Sequence, residues 1–146
     1  MKISNKKAYF DYEILDTFEA GIVLVGSEVK SLRQQNANLK GSFIKIYGED
    51  VMLQNMHIGA YKAAGQKNHE VDRNRKLLLH KQQIYKLIKE SQEAGKTIIA
   101  LEVYTKGTLI KVKIGVAKGK KKHDKRSALK DKQAKIDANR SLKNYK

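Results

Sequence analysis

The residues with the most chemical character in this sequence form a run of cations. Lys118, Lys120, Lys121, Lys122, Lys125 and Arg126 follow one another with only Asp124 opposing them, and Gly119 and His123 sit among them. Lysine and arginine at this density are phosphate ligands. Such contacts make binding strongly salt-dependent, with a log–log slope of about −0.7 to −0.9 per phosphate. The planar ring of His123 adds a face for stacking on an unpaired nucleobase. The run continues Leu109–Val116, where Leu109, Lys111 and Lys113 alternate with Ile110, Val112, Ile114 and Val116. That period of two reads as a half-buried strand. Ordered cations on its outer face therefore lead into trailing ones, with Gly115–Gly119 as the expected boundary, where Gly115 and Gly119 loosen the backbone. This favours an anionic surface over a merely solubilising tail, with nucleic acid first and an anionic membrane second.

Other residue types carry weaker signals. Glu19, just ahead of Gly21, admits two readings: a surface pair with a nearby lysine, or a carboxylate accepting hydrogen bonds from a base edge or a 2′-hydroxyl. Gly26-Ser27 opens a predicted helix, where backbone N–H groups suit a phosphate, but no GxxxxGK[ST] pattern accompanies it. His57, His69, His80 and His123 form no HxxxH or HxH spacing. A metal-dependent nuclease reading thus lacks a ligand set, and no metal or other cofactor is expected. No nucleophile–base pair, paired-carboxylate motif, Walker or Rossmann fingerprint is present, so no enzymatic activity is expected.

Composition sets the class. The 146 residues carry 31 Lys/Arg against 15 Asp/Glu, a net charge of +16. Residues 117–146 hold 12 Lys/Arg and 3 Asp, which makes them about five times denser in net charge than the rest. A charge this far from zero speaks to partners rather than to fold. Cysteine is absent, which removes disulfide scaffolds, thiol catalysis and cysteine zinc sites. The N-terminal MKISNKKAYFDYEI has no apolar run for a signal peptide, and no segment is apolar enough to span a bilayer. A cytoplasmic protein without a membrane partner is expected.

The elements that must position these residues are mostly strands. Tyr9–Phe18 reads as the first strand; Glu19-Ala20-Gly21 interrupts it and Ile22–Val25 resumes it, as one bulged strand or two short ones. Ser27 reads as the N-cap of the helix SEVKSLRQQ, with Glu28 in its first turn, Val29 and Leu32 inward, and Lys30 and Arg33 outward. Ser42–Tyr47 and Val51–Met56 form a hairpin around Gly48-Glu49-Asp50. Ala60–Arg75 reads as an exposed loop carrying Lys62, Lys67, Arg73 and Arg75. Lys76–His80 is a short strand or a helix lead-in, and Lys81–Ala94 a helix closed by Gly95. Thr97–Tyr104 and Leu109–Val116 form a second hairpin across Thr105–Thr108. The fold class is α+β, mainly β: a small oligonucleotide-binding-type barrel over residues 1–116 with flanking helices. Residues 117–146 form a basic tail, too charged to order alone and helical against a partner.

Three blocks then add up to a family. FEAGIVLVGSEVKSLR (Phe18–Arg33), RNRKLLLHKQQI (Arg73–Ile84) and KVKIGVAKGKKKHDKR (Lys111–Arg126) together resemble the SsrA-binding protein family, also called small protein B, across essentially the whole chain. The resemblance implies an oligonucleotide-binding-type barrel that binds the tRNA-like domain of transfer-messenger RNA near its elbow, in bacterial trans-translation. It implies that Glu19, Leu78 and Lys111 make that contact, Lys113 lying on the same strand face, and that Lys30, Arg33, Asn5 and Lys6 fall in RNA-binding motifs. It implies a tail that enters the vacant mRNA channel and decoding centre of a stalled small ribosomal subunit and becomes helical there. Lys118, Gly119, Lys120, Lys121, His123, Asp124, Lys125 and Arg126 form the root of that tail. Elongation factor Tu and alanyl-tRNA synthetase are implied partners through the RNA. The chain departs from the family at Phe10, often histidine, and at Ala134, often tryptophan, so those two ring roles are not carried over. A different reading of the same charge is a structural, rRNA-binding ribosome-associated protein.

Overall fold

A computed structural model describes residues 1–120; the expected tail from Lys121 onward, with Lys121, His123, Asp124, Lys125 and Arg126, lies outside the described residues. The elements are β1 (Lys2–Ser4), α1 (Lys6–Asp11), β2 (Tyr12–Ile22), α2 (Gly26–Arg33), β3 (Ala37–Asn38), β4 (Phe43–Tyr47), β5 (Asp50–Gln54), β6 (His57–Ile58), β7 (Arg75–Leu78), α3 (Lys81–Ser91), β8 (Lys96–Lys106) and β9 (Leu109–Gly119). A 3₁₀ segment, Lys62–Lys67, precedes β7.

Seven strands pair antiparallel in the order β1-β8-β4-β5-β7-β2-β9, and β8 also pairs with β9. That last pairing closes six strands into a ring, with β1 added to the outer edge of β8 beyond β4. Closure removes the open edges of a sheet. It requires the long strands to bend, and two bulges against β9 do this. Leu15 is extra on β2 and Leu101 on β8, since an unpaired residue bends its strand and tightens the twist.

The alternation expected for β9 holds in its first half. Val112, Ile114 and Val116 are fully buried inside the ring with Ala20, Val51, Leu53, Leu77 and Val103, while Leu109 faces out. α3 contributes the fully buried Leu87, and α2 contributes Leu32. The second half of β9 departs from alternation because α1 covers the barrel's outer face there. Ala8, Ile99, Leu101 and Ala117 form a smaller cluster with Tyr12 and Ile14 packed on it.

Several expectations are corrected. Tyr9–Asp11 is helical, because the Asn5 side chain accepts from the Ala8 N–H and starts α1. β2 runs unbroken through Glu19-Ala20-Gly21. The strand expected to end at Val116 continues to Gly119, three residues into the expected tail. Gly115 does not loosen it: a Cβ there would stand 2.8 Å from Leu101 Cδ1, so glycine permits close packing at the bulge. Ser27 does not cap α2, whose N-cap position is Val25; its hydroxyl pairs with His69 Nδ1 at 2.8 Å.

Arg75 is the largest correction. Expected in an exposed loop, it is fully buried and opens β7 on the same face as Leu77. It donates through Nε to buried Glu28, through Nη1 to the Met56 carbonyl at 2.7 Å, and through Nη2 to the Val71 carbonyl. Arg73 reaches the other Glu28 oxygen at 2.6 Å. Burial pushes the Glu28 carboxyl up, but the hydrogen bonds from Arg73, the Val25 N–H and Arg75 outweigh it and hold it below the ordinary range.

Candidate nucleic-acid interface

Strand register builds the site. Gly21 lies opposite Leu78 on one side and Lys111 on the other, and Lys111 lies opposite Tyr104. Leu78, Gly21, Lys111 and Tyr104 thus form one rank across β7, β2, β9 and β8. The next rank is Glu19, Lys113 and Glu102. Antiparallel partners hold their Cβ atoms about 4.5–5.5 Å apart. Residues from three distant stretches of chain therefore become neighbours on the outside of the barrel.

Gly21 keeps the first rank low. A Cβ there would stand 3.3 Å from Leu78 Cβ. Leu78 consequently lies against the β2 backbone while remaining 54% exposed. It presents an apolar surface at one end of the rank that holds Lys111.

Glu19 is oriented from two sides. The Tyr104 hydroxyl donates to Oε2, and Lys106 Nζ donates to Oε1 at 3.1 Å. The Tyr104 bond first, then the Lys106 bond and the charges of Lys106 and Lys111, hold the Glu19 carboxyl below its usual range. Burial, followed by the bond to Glu19 and the charges of Glu19 and Glu102, pushes the Tyr104 phenol up to about 12. At neutral pH Glu19 is therefore anionic and Tyr104 is its hydrogen-bond donor. An ionised carboxylate accepts about four hydrogen bonds, so Glu19 retains acceptor capacity toward solvent. Beside it lies an open groove of about 580 Å³, bordered by Thr17, Phe18, Thr105 and Lys113.

The chemistry of these groups favours one kind of ligand. Lys106, Lys111 and Lys113 attract a phosphodiester. Glu19 repels bare phosphate and accepts from N–H or O–H donors, such as a base edge or a 2′-hydroxyl. Leu78 offers an apolar contact. Together they suit an unpaired nucleotide held by its backbone and read at its base or sugar, as single-stranded RNA is.

The other expected residues separate. Asn5 is a correction: it is buried, and its Nδ2 donates to the Leu39 and Ala100 carbonyls at 3.2 and 3.0 Å. Asn5 is a structural joint, not a surface ligand. Lys6 is exposed on α1. Lys30 and Arg33 are exposed on α2, and Lys30 Nζ lies 5.3 Å from the Tyr61 ring centroid. Lys118 and Gly119 belong to β9, and Lys120 is pinned to α1 by its N–H, which donates to the Asp11 carbonyl at 3.0 Å. Among the described residues no group of three or more acids or histidines could hold a metal ion. No helix among them is long and apolar enough to cross a membrane.

Tyr104 and Lys106, which hold Glu19, are the candidate-site residues that sequence reasoning passed over. Their signal was available: they close the second hairpin opposite Lys111 and Leu109, and Tyr104 shares the outward face with Glu102.

The family model for the SmpB protein matches residues 2–144. The SsrA-binding proteins of Listeria monocytogenes and Staphylococcus aureus are 52% and 50% identical to this chain over 139 residues, 95% of the chain and 90% of each relative. A solved structure described as "tmRNA-SmpB: a journey to the center of the bacterial ribosome" superposes with a TM-score of 0.71 at 37% identity, over 88% of this chain and 94% of that one.

Proposed function

The chain belongs to the SmpB protein family, and we propose that it is an RNA-binding adaptor, not a catalyst, that carries transfer-messenger RNA to stalled ribosomes. It grips the tRNA-like domain of that RNA and delivers it in the cytoplasm, where unfinished proteins are tagged. The observation that supports the grip is the register that puts Glu19, Leu78, Lys111 and Lys113 on one outward face. An acid set among lysines there distinguishes a selective RNA contact from indiscriminate phosphate binding.

Delivery is assigned to the basic residues after Lys120, where β9 and its tie to α1 end. A molecule that enters the ribosome without a codon must sense that the mRNA channel is empty. The 26 residues from Lys121 onward reach about 90 Å extended or about 40 Å as a helix, enough to probe the channel, and mRNA would exclude them sterically. Deleting residues after Arg126 is expected to leave affinity for the tRNA-like domain nearly intact and to abolish tagging of nascent chains. Loss of most RNA binding in that truncation would refute the division of labour. Retention on all ribosomes after a high-salt wash, rather than on stalled ones, would favour a structural ribosome-associated protein instead.

A further inference from the structure

Tyr61 stands at the base of the 3₁₀ segment Lys62–Lys67. Asn68 closes that segment. Its Oδ1 accepts from the Tyr61 N–H at 2.9 Å, and its Nδ2 donates to the Tyr61 carbonyl at 2.8 Å. One side chain thus holds both backbone groups of Tyr61 and ties the two ends of the loop together. Such a tie lowers the entropic cost of binding.

Tyr61 lines two clefts. One, about 450 Å³, has Gly26, Ser27, Lys30 and Lys67 on its walls. The other, about 410 Å³, has Gln34, Asn36 and Lys62. Tyr61 borders both, and neither is lined by an acid. Both volumes fall in the range of small-ligand sites. Lys30 Nζ is within cation–π range of the ring. Glu28, the acid on the same helix, is fully buried and bound by Arg73 and Arg75. An aromatic residue lining acid-free, lysine-lined clefts is suited to an unpaired base and its flanking phosphates.

The first cleft and the first site lie along one stretch of chain. Glu19, Gly21, Val23 and Val25 alternate along the outward side of the chain that ends β2, and Val25 lines the first cleft. At about 3.3 Å per residue, Glu19 and Val25 are at most about 20 Å apart, a span that a few nucleotides of RNA bridge. We propose that Tyr61 is the centre of a second contact for the same RNA: its ring stacks one unpaired base, and Lys30, Lys62 and Lys67 take the neighbouring phosphates. This rests on the RNA-binding reading above.

The test is a titration of the full chain with a transcript of the tRNA-like domain at several salt concentrations. Tyr61→Ala is expected to weaken binding on the order of tenfold, the scale of one base stacked on an aromatic ring. Tyr61→Phe is expected to bind as the natural protein does. Tyr61→Leu, which keeps apolar bulk, is expected to fail as the alanine variant does, and it guards against a simple packing defect. Lys30→Gln with Lys67→Gln is expected to reduce the salt slope by about 1.5, for two phosphates. If Glu19→Gln weakens binding while Tyr61→Ala and Tyr61→Leu do not, the second contact is wrong and the RNA reading stands. If the natural protein binds this transcript no better than an unrelated RNA of equal length, the RNA reading itself fails.

Discussion

The Tyr104 hydroxyl donates to the Glu19 carboxylate from two strands away, with β9 and its Lys111 and Lys113 lying between them. The bond ties β8 to β2 on the outside of the barrel and aims Glu19, which lies directly opposite Lys113. It turns a residue that would otherwise be a mobile surface acid into a fixed acceptor.

Glu19→Gln and Lys111→Ala are each expected to weaken binding to the tRNA-like domain on the order of tenfold, the scale of one good polar contact. Because the two act on one nucleotide, the double variant is expected to lose less than the product of the single losses. Equilibrium binding at fixed salt checks this. Unchanged affinity in both single variants would remove them from the site.

The Tyr104 phenol is expected to ionise near pH 12. Its raised value means that the folded state holds this proton more tightly than the unfolded chain, where ionisation occurs near pH 10. The stability it contributes is therefore full below about pH 10 and is lost as pH rises through about 12. Glu19→Gln is expected to lower the value, since the negative partner is removed. An ultraviolet titration of the tyrosines, compared with Tyr104→Phe to assign the step, measures it.

Glu28→Gln is expected to destabilise the fold by about 3–5 kcal/mol, the cost of leaving a buried charge without its partner. Arg75 has no water to turn to, being fully buried. Glu28→Met with Arg75→Met is expected to cost less than either single change. The depressed Glu28 value makes its contribution full above the ordinary carboxyl range and lost as pH falls through the folded value. The acid limb of a urea-stability profile should flatten in the double variant.

Gly115→Ala is expected to cost about 1–3 kcal/mol through overpacking against Leu101. Adding Leu101→Val removes the clashing methyl and is expected to recover part of the loss. Thermal melting of the three variants decides; an additive result would show that the strain lies elsewhere.

Much of this fold was legible in the sequence, and the reasons are local. Alternation in Leu109–Val116 gave the strand and its buried face, because a strand's side chains switch sides at every residue. Short turn signals marked both hairpins, and the helix from Lys81 followed from its apolar spacing, although it ends at Ser91 with Gln92 as its C-cap, so Gly95 does not close it. The basic balance, the lack of cysteine and the three motif blocks pointed to an RNA partner.

The tertiary structure decided what depends on strand register and on burial. Arg75 counts as one more loop cation until β7 places it beside Leu77 and the ring closes over it. A charge is buried only if distant groups satisfy it, and Glu28, Met56 and Val71 do so from other elements. Asn5 likewise spends its amide on Leu39 and Ala100, residues that local spacing cannot bring near. Glu19 stood open between two readings in the sequence. The surface pair with a lysine is real, through Lys106, and the same bond, with Tyr104, is what fixes the carboxylate as an acceptor. Residue types were therefore set by the chain alone, while the antiparallel closure of β2, β9 and β8 made a face out of them.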